Sequence, residues 1–338
     1  MFKLSKIKAH IISLIINSKK LSNFYYFFYS KSFSREHQAV LAGRFKYSDD
    51  VKTDNSSFYQ LIRNTHRIEK GLLMRPRRPI FAIDYIEETI DSFEKSLKFQ
   101  KSEKKYQLKW SRDVLKLYFQ ATKGSDLIEK QKMRFNTIIN ELTFETNQKD
   151  SVPYHKSKLS NISYDEFFLL TRQRRSTRWF KNEIVPRSLI DKAILAALQS
   201  PSACNRQPFE YKIIDDENLL EKIVNIPGGT AGYAHNIPLM IIAVGNLNAY
   251  FSERDRHLIY IDASLANMTL MLALETLGLS SCAINWPDIE EKEIQIEELL
   301  NLEKYQRPVM CIAVGYNNPE GLVAFSEKKS LETIRQYN

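Results

Sequence analysis

The sequence predicts an α+β protein whose N-terminal half is almost wholly helical, and three observations carry that prediction. Up to about residue 150 the apolar residues recur at helical spacing. Beyond about residue 165, apolar runs of strand length alternate with helical patterns. The charge changes sign between the two: residues 1–150 hold 29 Lys/Arg against 17 Asp/Glu, and residues 151–338 hold 20 against 23. The expected division is a mostly helical extension over 1–160 and a second unit over 165–338, long enough for a core in each.

At the start of the chain, Lys3, Lys6 and Lys8 precede an apolar run from Ile11 to Ile16, interrupted by Ser13 and closed by Asn17. The run is far shorter than the roughly 20 residues that span a bilayer, and no small-residue cleavage site follows it. Phe24, Tyr25, Tyr26, Phe27, Phe28 and Tyr29 come next, among lysines. Such a segment suits a helix packed on the rest of the protein or one lying on a membrane surface, and the packed helix is the expectation.

Residues 54–70 keep helical spacing through Phe58, Leu61, Ile62, Thr65 and Ile68, with Asp54 or Asn55 as N-cap and Gly71 as C-terminal cap. The run MRPRRP at 74–79 holds two prolines and cannot continue a helix. Residues 83–99 and 110–145 read as helical again, and 147–163 as a polar linker carrying Pro153. Val185-Pro186 then opens a helix with Leu189, Ile190, Ala193, Ile194, Ala197 and Leu198 on one stripe. Tyr211–Ile214, Leu239–Val244, Ser281–Ile284 and Val309–Val314 are strand candidates. Residues 258–277 are apolar on nearly every face, as in a helix buried inside a core or against a second subunit.

Two segments carry chemistry. TRQRRSTRWF gathers Arg172, Arg174, Arg175, Ser176 and Arg178. Those forked donors suit a phosphate, although a solvated basic face looks the same. SPSACNRQPF (200–209) reads as an ordered loop, in which the amides of Asn205 and Gln207 can donate and accept at once. That is what the edge of a planar heterocycle requires, or the amides order only the loop itself.

Taken in order, RRSTRWF (174–180), the helix from VPRSLI and SPSACNRQPF resemble the paired signature of the FMN-dependent nitroreductase family. NIPLMIIAVG (236–245), DASLANMTLMLALETLGLSSCAINW (262–286), VMCIAVGY (309–316) and SEKKSLETI (326–334) are similar to its later segments: a core strand, the long central helix with the flavin-facing strand, the final strand and the phosphate-binding tail. The resemblance implies a central, mainly antiparallel sheet flanked by helices. It also implies FMN, transient NADH or NADPH, a small-molecule acceptor and a homodimer. It implies that Arg174 and Ser176, with Arg175 alongside, hold the phosphate and ribityl chain, and that Arg178 lies near the flavin N1/O2 edge. Ser202, Asn205 and Gln207 would meet the pyrimidine edge. Asn285 and Trp286 would end the strand whose backbone N–H reaches N5, and Lys328 and Lys329 would close on the phosphate. No catalytic side chain is implied, because the flavin carries the hydride and Arg178 tunes it.

Departures from the pattern matter. Two lysines stand in the tail where an arginine is usual, losing bidentate geometry. Trp286 stands where many members have Gly, which narrows or shifts the substrate space. Cys204 and Cys282 fall inside flavin-binding segments and read as redox thiols or, as expected without paired spacing, as small buried fillers. HRIEKGL (66–72) puts His66, Glu69 and Lys70 on one helical face, too few ligands for a metal. With RPRRP it resembles an extension of some longer bacterial nitroreductase-like proteins. It reads as a helical cover, or as a lid whose Arg75, Arg77 and Arg78 receive an anionic substrate. Three cysteines, Cys204, Cys282 and Cys311, form no disulfide framework, so the expected setting is cytoplasmic. No zinc-finger spacing or RNA-binding signature accompanies the basic charge, and nucleic acid is not the expected partner. The competing functions are another flavin reaction on an anionic or nucleotide-linked metabolite, and a non-catalytic flavin-binding or membrane-associated module.

Overall fold

In the computed structural model, which describes residues 12–53, 58–98, 105–140, 150–156 and 159–338, helices fill the N-terminal half and a four-stranded sheet the C-terminal half. The helices there are α1 Lys19–Tyr25, α2 Ser34–Lys52, α3 Phe58–Leu73, α4 Ile86–Lys98, α5 Lys105–Ala121 and α6 Asp126–Asn140. The last four share one core, in which Leu61, Ile68, Ile90, Phe93, Leu115 and Phe135 are buried. The helical stretch expected over 110–145 is divided at Gly124, which takes φ +84° and turns the chain between α5 and α6. Gly71 does not end its helix either: α3 runs on to Leu73. What demands a glycine there is Phe81, whose ring would lie 2.4 Å from an added Cβ. The expected caps Asp54 and Asn55, with Lys3, Lys6, Lys8 and Ile11, lie outside the described residues, as do parts of the linker.

From Ile12 to Gln38 no residue is buried. The expectation of a first helix packed on the protein is therefore not met: α1 and the π-turn Tyr26–Ser30 after it bury nothing. The packed part begins at Ala39 on α2, which joins Leu247, Ala249, Tyr250 and Ile259 in a shared cluster. An added Cβ at Gly43 would meet the Leu247 backbone at 2.7 Å, so α2 lies directly on that turn. Arg35 reinforces the joint by donating to Glu290 and Glu297.

The C-terminal half follows as α7 Tyr164–Gln173, α8 Arg187–Ala197, β1 Phe209–Ile214, α9 Glu217–Ile223, β2 Leu239–Asn246, α10 Leu258–Thr276, β3 Ser280–Asn285, α11 Glu290–Leu300, β4 Gln306–Gly315 and α12 Leu331–Ile334. All four expected strands form, antiparallel throughout, in the order β1-β2-β4-β3. Pro308 sits in central strand β4 opposite Val244, where the register shifts by a bulge that absorbs its missing N–H. Alternation sends Met240, Ile242 and Val244 to one face, with α9 and α11, and Leu239 and Ile241 to the other, with α8 and α10.

Helix α10 belongs to the only described segment long and apolar enough to span a bilayer, Glu253–Thr276. Its residues Ile259, Ala263, Ala266, Leu270 and Leu274 are fully buried, so it is the core helix of this half. It is not buried on every side: Ile261, Leu265 and Met268 remain 51%, 46% and 39% exposed.

Candidate functional site

The arginine run owes its position to a helix end. A capping box between Ser163 and Glu166 starts α7, and Arg174 ends it in extended conformation. The chain then lies along the sheet edge: Ser176 bridges Ser281 of β3, Thr177 N–H donates to the Ser281 carbonyl at 3.1 Å, and Phe180 bridges Asn317. Thr177 and Phe180 point inward and are buried, whereas Arg178 is exposed and Arg174, Arg175 and Ser176 are half-buried. Among the described residues none of these three arginines forms an ion pair. Arg175 and Arg178 donate to backbone carbonyls, of Arg174 and Ser176, each at 3.4 Å. The Arg174 Nε and the Ser281 Oγ are buried with no hydrogen-bond partner. Cationic donors close together in sequence and without an acidic partner suit an anion. Arg178 also lies 5.9 Å from the Tyr233 ring, whose hydroxyl burial pushes up to about 12.

The second segment is held in a conformation L-residues seldom adopt. Cys204, Asn205 and Gln207 have φ of 54°, 53° and 48°, costing on the order of 1–2 kcal/mol each. Surrounding bonds hold them there. Asp262 on α10 accepts from Ala203 N–H at 2.9 Å and from the Tyr250 hydroxyl at 3.4 Å. Ser202 Oγ accepts from Gln207 N–H at 3.0 Å, and Gln207 Nε2 donates to the Leu198 carbonyl at 3.0 Å. Asn205 is exposed and its amide has no partner among the described residues. Asp262 escaped the sequence reading, although a carboxylate inside an apolar helix was the available signal; burial raises its pKa, against the two donors.

A cavity of about 680 Å³ joins this loop to the N-terminal half. Pro201, Ser202 and Asn205 form one wall, with His66 and Glu69 of α3, Trp110 of α5 and residues 150–154 opposite. Trp110 Nε1 donates to Glu69 at 3.2 Å, and His66 Nδ1 stands 3.6 Å from the same carboxylate. Trp110 and Asp150 carried no signal in the sequence, since only folding sets them beside HRIEKGL. Arg75, Arg77 and Arg78 are exposed on the following run and do not line the cavity.

The remaining candidates are dispersed. Asn285 is exposed at the end of β3. Trp286 turns its indole into the core, donating to the buried Glu293 at 2.7 Å, rather than into open space. That orientation follows from chemistry, because a buried indole N–H needs an acceptor. Lys328 and Lys329 are exposed on a tail in which nothing after Gly315 is buried. No described hydrogen bond or ion pair joins the arginine run, the 200–208 loop and these lysines to one another. As for the cysteines, Cys282 and Cys311 are buried and unpaired, and burial pushes the Cys311 thiol up to about 12, as befits a filler. Cys204 is half-buried.

Compared with known proteins, residues 171–231 and 224–316 match the model of the Nitroreductase family. A protein of Methanothermobacter thermautotrophicus, provisionally named NADH dehydrogenase/NAD(P)H nitroreductase, is 28% identical over 146 residues, 43% of this chain and 74% of its own. Human iodotyrosine deiodinase 1 is 23% identical over 197 residues, 50% of this chain and 67% of its own. Among solved structures, an FMN-dependent nitroreductase from Clostridium difficile is 24% identical, with a TM-score of 0.43, covering 50% of this chain and 98% of its own.

Proposed function

From the premise that residues 171–316 form a nitroreductase-family domain, we propose that this chain is a cytoplasmic FMN-dependent oxidoreductase. It would take hydride from NADH or NADPH and pass electrons to a small organic acceptor. The observation that carries the reading is the set of unpaired cations Arg174, Arg175 and Arg178 around Ser176, with the Arg174 Nε left unsatisfied. Bound FMN would supply the hydride chemistry at its N5, which the protein's side chains cannot. The chain's own part is to bind and tune. Arg174, Arg175 and Ser176 hold the phosphate, with Lys328 and Lys329 closing on it. Arg178 would offset charge at the N1/O2 edge, and backbone N–H groups at Asn285 and Trp286 would face N5. Ser202, Asn205 and Gln207 would meet the pyrimidine edge, from a second copy of the chain in the proposed homodimer.

The acceptor enters the cavity between His66, Trp110 and Asn205. Arg75, Arg77 and Arg78, outside that lining, act only on its approach. A second reading, reductive removal of a substituent from an aromatic substrate, is favoured by Trp110 and Tyr154 in the cavity lining. Glu69 and Asp150 beside them suit a cationic group on that substrate better than an anionic one.

Titration with FMN tests the proposal. The expected result is about one flavin per chain and NAD(P)H oxidation. Arg174→Ala should remove a charge-assisted contact of about 1.5–3 kcal/mol, weakening FMN roughly 10- to 150-fold. A protein that acquires no flavin absorbance with excess FMN would overturn the reading.

A further inference from the structure

The N-terminal arm, Ile12 to Phe33, contributes to none of the hydrophobic clusters of the described residues. It buries no side chain, yet Leu21, Phe24, Tyr26, Phe27, Phe28 and Tyr29 are all exposed, Tyr29 to 80%. Its rings contact chiefly one another, Phe24 against Phe28 at 4.3 Å and Phe27 against Phe28 at 4.7 Å. An apolar patch of this kind marks an interaction surface. Its root is anchored, because Arg35 is tied to Glu290 and Glu297 just before α2 enters the shared core.

We propose that this arm docks the protein on the surface of a lipid bilayer with anionic headgroups, its aromatic rings entering the interface and its lysines meeting the phosphates. Charge selects that occupant. The first 35 residues hold seven Lys/Arg and no Asp or Glu, and Lys19, Lys20 and Lys31 are exposed beside the rings. A second copy of the arm would oppose like charges. A protein groove reads one helical stripe, whereas six consecutive aromatics from Phe24 to Tyr29 put rings on both sides of the helix. Rings with polar tips at the boundary of oil and water, flanked by lysines, suit the bilayer interface. The proposed mode is surface binding, since no described segment of the arm is long and apolar enough to span a bilayer.

The test is co-sedimentation of the full-length protein with vesicles of phosphatidylcholine alone or mixed with phosphatidylserine, at low and high salt. The expected result is pelleting with the anionic vesicles at low salt, weakened by salt. Replacing Lys19, Lys20 and Lys31 together with Gln should weaken binding on the order of 100-fold, about fivefold per lysine. Phe27→Ser with Phe28→Ser should abolish it while leaving the melting temperature unchanged, since neither ring enters a core. A wild-type protein that stays in solution with both vesicles would overturn the proposal. So would binding that both variants retain, or self-association that needs the two phenylalanines and no lipid.

Discussion

Asp113 on α5 gathers three donors around one carboxylate: Lys109 Nζ at 2.7 Å, Arg112 Nη2 at 2.7 Å and Ser151 N–H at 2.9 Å. The last bond pins the cavity wall to the helix, since Ser151 lines that cavity. Burial alone would raise the Asp113 pKa, but its hydrogen-bond donors and the Arg112 charge outweigh it and hold the carboxyl below its ordinary range. An acid with a depressed folded-state pKa adds stability above its unfolded pKa of about 3.9, and that stability disappears as pH falls through the folded value. Asp113→Asn should therefore be about 1–3 kcal/mol less stable at neutral pH. Denaturant unfolding at pH 7 and again near pH 3 should show the difference shrinking at acid pH; an equal difference at both would rule out the charge. At this scale the sequence was partly legible. Arg174, Arg178 and Asn205 stood out by residue type, while Asp113, Asp262 and Trp110 did not, because their roles depend on neighbours far away in the chain.

Helix α10 has two faces that composition cannot tell apart. Leu270 and Leu274 are in the core, whereas Ile261, Leu265 and Met268 form an exposed stripe at helical spacing; neighbouring α8 exposes Leu195. In the proposed dimer this stripe would be the contact between the two copies. Leu265→Lys should turn a dimer into a monomer in light scattering and weaken FMN binding with it. A monomeric wild type that still holds FMN would contradict the arrangement. The four strands and α8 were readable because alternation and helical stripes are local patterns. The break at Gly124 was not, because helical spacing continues on both sides of it. Gly71 was misread as a cap because the sequence does not display Phe81 beside it.

Across the whole molecule, the two halves have separate interiors that meet at the α2 seam and around the 200–208 loop. The helical core of α3 to α6 contains no residue of the sheet half, yet α2 shares a cluster with Leu247, Ala249, Tyr250 and Ile259. A fragment of residues 165–338 would expose those four side chains. Re-exposing a Leu or Ile costs about 1.5–3 kcal/mol, so the fragment should lose several kcal/mol or be insoluble. Comparing denaturant midpoints and soluble yields with the full chain measures this; a fragment as stable as the whole would mean that the seam contributes nothing. The change of charge sign between the halves was visible in the sequence, and the seam was not.

The sequence by itself determined the α+β class, the four strands and the arginine, SPSACNRQPF and core-helix segments, all of which depend on spacing along the chain or on residue type. Tertiary structure alone decided what stands beside them. It set His66, Glu69 and Trp110 against the loop of Ser202 and Asn205, turned Trp286 into the core, and left the aromatic arm uncovered. The physical reason is range. Backbone preferences and hydrophobic periodicity act over a few residues, whereas a cavity wall or a buried partner requires segments distant in sequence to meet in space.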